Sequence, residues 1–128
     1  MAEGGGEGHS VIDLGSDEYT VGRPHPMIDP MKRNELLARS LSDPGVAAVL
    51  VDVVIGHGAH ADPGGELAEA IMSADESKAV VIASVCGTEE DPQVHSEQVK
   101  KLESAGVLVF SSNALAAEMA LRISRRDI

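Results

Sequence analysis

Three aliphatic runs, each followed closely by a stretch of helical periodicity, constrain this chain more than any other feature of its sequence. Residues 46–55 (VAAVLVDVVI), 79–86 (AVVIASVC) and 107–110 (VLVF) have the composition of strands buried on both faces. After the first run, Leu67, Ala70 and Ile71 recur at helical spacing within 63–74. A helix from Asp91-Pro92 to Ala105 follows the second. Leu115, Met119, Leu121 and Ile123 mark one after the third, and Leu36, Leu37 and Leu41 place another before the first. The order is one helix, then strand and helix three times. Such alternation requires parallel strands joined by right-handed crossovers, with helices on the sheet faces. The expected fold is therefore α/β, a three-layer parallel sheet. Aromatic residues make up only 2% of the chain, so Val, Leu, Ile, Ala and Met must fill its core.

Local signals set the boundaries. Asp29-Pro30 and Asp91-Pro92 each place a capping carboxylate before a proline suited to the first helical turn. Asp43-Pro44-Gly45 and Gly106 supply helix stops, and Ser112-Asn113 a cap for the last helix. Residues 1–8 hold no periodic apolar positions and are expected to form a disordered lead-in. Residues 10–14 and 18–21 are strand-like, separated by the turn-forming Gly15-Ser16-Asp17. The expected organisation is that lead-in followed by a single domain over 9–128, since a chain of 128 residues supports one good core.

Charge and cysteine content narrow the function. A formal net charge of -11 repels both the nucleic-acid backbone and an anionic membrane face, so neither is expected as a partner. Cys86 is the one cysteine, which rules out an intrachain disulfide. The first residues have neither the basic nor the apolar region of a signal peptide, and the longest apolar run is too short for a bilayer. A cytoplasmic location is the expectation.

In open parallel sheets ligands bind at the carboxyl ends of the strands, which directs attention to 56–65, 87–91 and 111–113. The first loop (GHGAHADPGG) has four glycines and leads into a helix N-terminus, a setting that suits a small anion such as phosphate or carboxylate. It lacks both the P-loop lysine and the dinucleotide fingerprint spacing, and an unliganded turn is the competing reading. It also holds no Lys or Arg, so positive charge must come from Arg23, a metal ion or another subunit. The phosphate or ligand contacts expected from these loops are Gly56, Gly58, Gly64, Gly65, Gly87, Thr88 and Asn113, with Arg23. His60 and His25 are the catalytic candidates, His25 being held between Pro24 and Pro26. His57, His60 and Asp62 lack a third firm metal ligand, and no metal site is expected. Asp52 interrupts the first aliphatic run and must be hydrogen-bonded or paired if buried. The receiver-domain alternative, a phospho-accepting Asp52, lacks the accompanying acidic pair and lysine. Cys86 precedes Glu89, Glu90 and Asp91, whose charges oppose a thiolate. Arg122, Arg125 and Arg126 suit the negative end of the last helix.

Several runs resemble one family. Arg23-Pro24-His25-Pro26-Met27-Ile28-Asp29-Pro30, the segment Leu50-Val51-Asp52-Val53-Val54-Ile55-Gly56 with Ala61-Asp62-Pro63, and Ala83-Ser84-Val85-Cys86-Gly87-Thr88-Glu89-Glu90-Asp91-Pro92-Gln93 are similar to the carboxy-terminal part of FdrA proteins. Ala105-Gly106-Val107 and Ser112-Asn113-Ala114 continue the likeness. FdrA proteins are in turn similar to succinyl-CoA synthetase. The resemblance implies a flavodoxin-like domain of the CoA-ligase type and a chemistry of acyl-CoA, phosphoryl or carbamoyl transfer. In a full complex it implies CoA, ATP with magnesium, or carbamoyl phosphate as cofactor or substrate. It also implies a first strand and helix that this sequence does not contain, which would leave two strand edges exposed. The expected partner is a second copy or a separate chain that completes the sheet. Alone, the chain is expected to be inactive, a fragment or subunit of an FdrA-like enzyme. A non-catalytic interaction or regulatory module of the same fold is the alternative.

Overall fold

The computed structural model describes residues 31–74 and 79–125. Seven elements follow in order: α1 (Met31–Ser42), β1 (Ala48–Val54), α2 (Pro63–Met72), β2 (Val80–Cys86), α3 (His95–Ser104), β3 (Leu108–Phe110) and α4 (Asn113–Arg125). The strands form one parallel sheet in the order β1-β2-β3. Ala48 pairs with Val80, Val54 with Cys86, and Ser84 with Phe110. This is the α/β, three-layer parallel arrangement expected of a flavodoxin-like CoA-ligase domain. The strand-like pieces at 10–14 and 18–21, the lead-in 1–8, the Asp29-Pro30 cap, Arg23 and His25 all lie outside the described residues.

The core sits on one side of the sheet. Val51, Val53 and Ile55 from β1 and its exit, Val81, Ala83 and Val85 from β2, and Val107 before β3 pack against Leu37 and Leu41 of α1, Leu67 of α2 and Leu102 of α3. Leu67 and Leu102 are wholly buried, and each contributes about 1.5–3 kcal/mol by leaving water. The other side carries only α4 among the described elements, and Ala116 is its one buried residue.

Two expectations need correcting. Strand β1 is buried on one face rather than two: Val51 and Val53 are enclosed, whereas Leu50, Asp52 and Val54 are exposed. The alternation is hidden because two of the outward positions, Leu50 and Val54, are also aliphatic. The third helix begins at His95, not at Asp91-Pro92. Asp91 instead folds its carboxylate back, accepting from the Thr88 N–H at 2.6 Å, while its carbonyl accepts from Val94 N–H at 2.9 Å. Val94 then enters the helix with a φ of 59°, a strained value for a β-branched residue.

The other boundaries follow their signals. Asp62 caps α2 and Pro63 occupies its first turn. At the end of α3, Val107 N–H bonds Leu102 C=O at 3.1 Å and Gly106 N–H bonds Glu103 C=O at 3.0 Å, with Gly106 at a φ of 86°. These paired bonds form a Schellman stop, and the buried Leu102 and Val107 supply its apolar contact.

Candidate functional site

Parallel register carries the loops 56–62, 87–94 and 111–112 to the same carboxyl edge of the sheet. The first two are joined by one side chain. Gln93, buried between them, donates from Nε2 to the carbonyls of Gly56 and His60, both at 2.9 Å, and accepts from the Gly56 N–H at 2.9 Å. A neutral amide can both donate and accept, which a carboxylate cannot. Gln93 thereby fixes the start of the glycine loop against the neighbouring loop.

Gly56, Gly58 and Gly87 all have positive φ, at 138°, 86° and 154°. For Gly87 the need is also steric, since a Cβ there would run into the Ile55 side chain and approach Asp91 Oδ2 to 2.9 Å. Among the described residues, the backbone N–H groups of His57 and Gly58 have no hydrogen-bond acceptor. His57 is exposed. His60 is half-buried and accepts the Asp62 N–H on Nδ1 at 2.9 Å, so in the neutral ring the proton sits on Nε2.

The N-terminus of α2 is closed by protein groups. Gln98, 2% exposed, accepts the Gly64 N–H on Oε1 at 2.5 Å and donates from Nε2 to Asp62 Oδ1 at 2.9 Å. Asp62 Oδ1 also accepts the Gly65 N–H at 3.2 Å and pairs with Lys101 Nζ at 2.9 Å. Burial alone would raise the Asp62 pKa, but the bonds from Lys101, Gln98 and Gly65 and the Lys101 charge together hold it below the usual carboxylate value. Gly64 serves helix packing as well: a Cβ would stand 2.6 Å from Gln98 Oε1 and 3.1 Å from its carbonyl. Carboxylates serve the next loop in the same way. Asp91 Oδ2 accepts from Thr88 N–H, and from its Oγ1 at 3.3 Å, while Glu89 takes the Ser96 N–H at 2.7 Å and Oγ at 2.9 Å.

The third loop ends in Asn113, whose Nδ2 donates to Asp52 Oδ1 at 2.6 Å; Ser84 Oγ donates to the same oxygen at 2.8 Å. Asp52 is thus a satisfied carboxylate on the exposed face of β1, not a core group. Cys86 is exposed. Arg122 pairs with Glu118 at 3.4 Å within α4. Gln93 appears in the sequence only as the end of the most family-like run, and Gln98 carries no sequence signal, since an amide among charged helix residues reads as a solvated position.

Among the described residues no cluster of three or more His, Cys, Asp or Glu is placed to hold a metal ion, and no helix is long and apolar enough to cross a membrane. The groove between α2 and α3, about 400 Å³, is lined by Asp62, Glu97, Lys100 and Lys101 over Ala68 and Met72. Its carboxylates and ammonium groups balance in number, so it does not fit a polyanion such as CoA or ATP by itself.

Comparison with known proteins agrees with this architecture. A family model described as CoA-ligase matches residues 1–123. The chain is 39% identical over 111 residues to the uncharacterized protein YahF of Escherichia coli (strain K12), a match covering 82% of this chain and 22% of that protein. It therefore spans about a fifth of the length of that curated relative. The chain belongs to the CoA-ligase family, as a ligase-like domain of the FdrA-like kind.

Proposed function

We propose that this chain supplies the phosphate-facing loops of an FdrA-like ligase or transferase whose reaction, an acyl-CoA, phosphoryl or carbamoyl transfer, is completed by further protein. The observation that carries this reading is the Gln93 clamp, which holds the glycine loop and the 87–94 loop together at the carboxyl edge of a parallel sheet. There the N–H groups of His57 and Gly58 face no protein acceptor among the described residues, and Gly87 and Thr88 follow β2 at the same edge. Gly56 and Gly58 would let the backbone approach an oxyanion. Asn113, held by Asp52, would shape the far side, while Gly64 and Gly65 would support the edge through helix packing and cap geometry. His60 would present Nε2.

The further protein would meet the open side of the sheet. Leu50, Val54 and Leu108 on the strands and Leu115 and Leu121 on α4 are all between 38% and 48% exposed, and β1 is an edge strand among the described residues. Calorimetry tests the reading: carbamoyl phosphate, inorganic phosphate and CoA are titrated into the chain alone and into the chain with a co-expressed FdrA-like amino-terminal half. Binding of a phosphate compound by either sample supports it. No heat in any combination refutes it, and favours a non-catalytic module of the same fold. One observation already speaks for that second reading, since Asp62, Glu89 and Asp91 accept the N–H groups an anion would otherwise take.

A further inference from the structure

The open side of the sheet divides into two rows. Parallel register sets Leu50, Asp52 and Val54 of β1 beside Ile82, Ser84 and Cys86 of β2 on that face. Helix α4, whose Ala116 is buried, covers the β2 row, so that Ile82 and Ser84 are enclosed. The β1 row stays exposed at all three positions, a length of roughly 13 Å at about 3.3 Å per residue.

A carboxylate stands in the middle of that aliphatic row, and it is held in place. Asp52 Oδ1 takes both the Asn113 Nδ2 bond at 2.6 Å and the Ser84 Oγ bond at 2.8 Å. Both donors are neutral, so they orient the group without cancelling its charge. Among the described residues no lysine, arginine or histidine pairs with Asp52, and Oδ2 has no hydrogen-bond partner. Asp52 is satisfied while its row faces water. Protein that covered Leu50 and Val54 would strip that water, because the two flank Asp52 on the same face. A carboxylate enclosed with neutral donors alone is costly, and an opposite charge in good geometry offsets the loss.

Charge also decides what the covering protein is. A second copy meeting this row about a two-fold axis would set Asp52 against Asp52, between chains that each carry a net charge of -11. A different chain that brings a cation meets neither penalty. The relative YahF has about four fifths of its length outside its match to this chain. We propose that the β1 row is the docking surface for protein of the kind that makes up the rest of YahF, and that a lysine or arginine of that protein, set among aliphatic residues, pairs with Asp52 Oδ2. This rests on the reading above that further protein meets the open side of the sheet, and it names the contact that selects that protein. Asp52 determines specificity, Ser84 and Asn113 position it, and Leu50 and Val54 supply apolar contact.

The test is co-expression of the full chain, tagged, with YahF from which the segment matching this chain is deleted. The purified partners are then titrated by calorimetry at low and high salt. Wild type should bind, with an affinity that falls as salt rises. Asp52→Asn keeps an oxygen acceptor for Ser84 and Asn113 but loses the charge, so affinity should fall about tenfold or more and most of the salt dependence should go with it. Asp52→Lys and Leu50→Glu should abolish binding. Alanine replacement of each lysine and arginine of the deleted YahF should find one whose loss weakens binding to wild type but not to Asp52→Asn, as a direct pair requires in a double-mutant cycle. If the deleted YahF is insoluble by itself, the amount that each variant keeps soluble on co-expression carries the same comparison. Three results overturn the proposal: no complex with wild type, an Asp52→Asn affinity within about twofold of wild type, or a wild-type homodimer that Leu50→Glu dissociates. The two readings fail separately. Carbamoyl phosphate binding by the chain alone, unchanged in Leu50→Glu, beside the absence of any complex removes this proposal only. A complex that depends on Asp52, beside titrations silent for every phosphate compound, removes the phosphate-facing reading only.

Discussion

Replacing Gln98 by alanine should unfold this domain more readily than any substitution of its candidate histidines. The side chain is enclosed and satisfies the Gly64 N–H at 2.5 Å, one Asp62 oxygen at 2.9 Å and, at 3.4 Å, the Gln93 carbonyl. Truncation leaves the Gly64 N–H buried without an acceptor, a penalty of about 1–3 kcal/mol. The Asp62 carboxylate keeps Lys101 and Gly65, so the second lost bond costs only about 0.5–1 kcal/mol. The buried methylene adds about 0.8 kcal/mol. The expected loss is about 2–5 kcal/mol, out of a total stability of about 5–15 kcal/mol for a typical domain. Urea unfolding followed by circular dichroism reads it directly: with a slope of about 2 kcal/mol per molar, the midpoint should fall by roughly 1–2.5 M. An unchanged slope would confirm that the denatured state is unaffected. A loss below about 0.5 kcal/mol would refute the reasoning, because water would then be reaching the Gly64 N–H and the helix N-terminus would not be sealed.

Gly64→Ala should also destabilise, by about 1–2 kcal/mol, since overpacking against the Gln98 amide and carbonyl outweighs the helix-propensity gain of alanine; a midpoint above wild type would refute it. Asp62→Asn keeps the oxygen acceptor and removes only the charge. Because the folded pKa of Asp62 lies below its unfolded value, its charge contributes stability that is complete above about pH 4 and is lost as the pH falls through the folded value. Wild type should therefore exceed Asp62→Asn by under about 1 kcal/mol at pH 7, the pair with Lys101 being half exposed, and the two should converge as the pH falls below the folded value; a gap independent of pH would show that the charge is idle. The same variant tests the site: if anions bind through the glycine loop, phosphate affinity should change less than threefold or so in Asp62→Asn, whereas a tenfold gain would mean that Asp62 occupies the anion position. Gln93→Ala should free the glycine loop, raising amide exchange across residues 56–61 at least about tenfold while the strands stay protected; unchanged exchange would show that the loop is held by its own turn.

The strands and the element order were legible because aliphatic runs and helical periodicity survive any tertiary context. What the pattern could not say is whether an aliphatic position is covered. Leu50 and Val54 carry the same signal as Val51 and Val53, yet they point to opposite faces with opposite burial. Asp91-Pro92 misled for a different reason. The same Asp-Pro chemistry that caps a helix also closes a tight turn, and here the Thr88 N–H, three residues back, reaches the carboxylate first. Of the site, the glycines and the loop positions were visible, whereas the groups that hold them were not. Gln93 and Gln98 act across 33 to 37 residues of sequence, and nothing local distinguishes a buried amide from a solvated one.

Taken together, the carboxylates and the open sheet face lead to one consequence. Asp62 satisfies N–H groups at the start of α2, and Glu89 and Asp91 do so around the start of α3. In a chain of net charge -11, an anion approaching those helix ends meets negative charge where the dipole alone would attract it. Among the described residues, the N–H groups of His57 and Gly58 in the glycine loop are donors that no protein acceptor takes. On the proposed reading they would orient one phosphate group whose remaining charge is met from elsewhere. The exposed Leu50, Val54 and Leu108 lie on the strands that lead into these loops, so protein covering that face would arrive beside the site. If the proposed function holds, a protein docking on this apolar surface would also be placed to bring the positive charge that the loops lack.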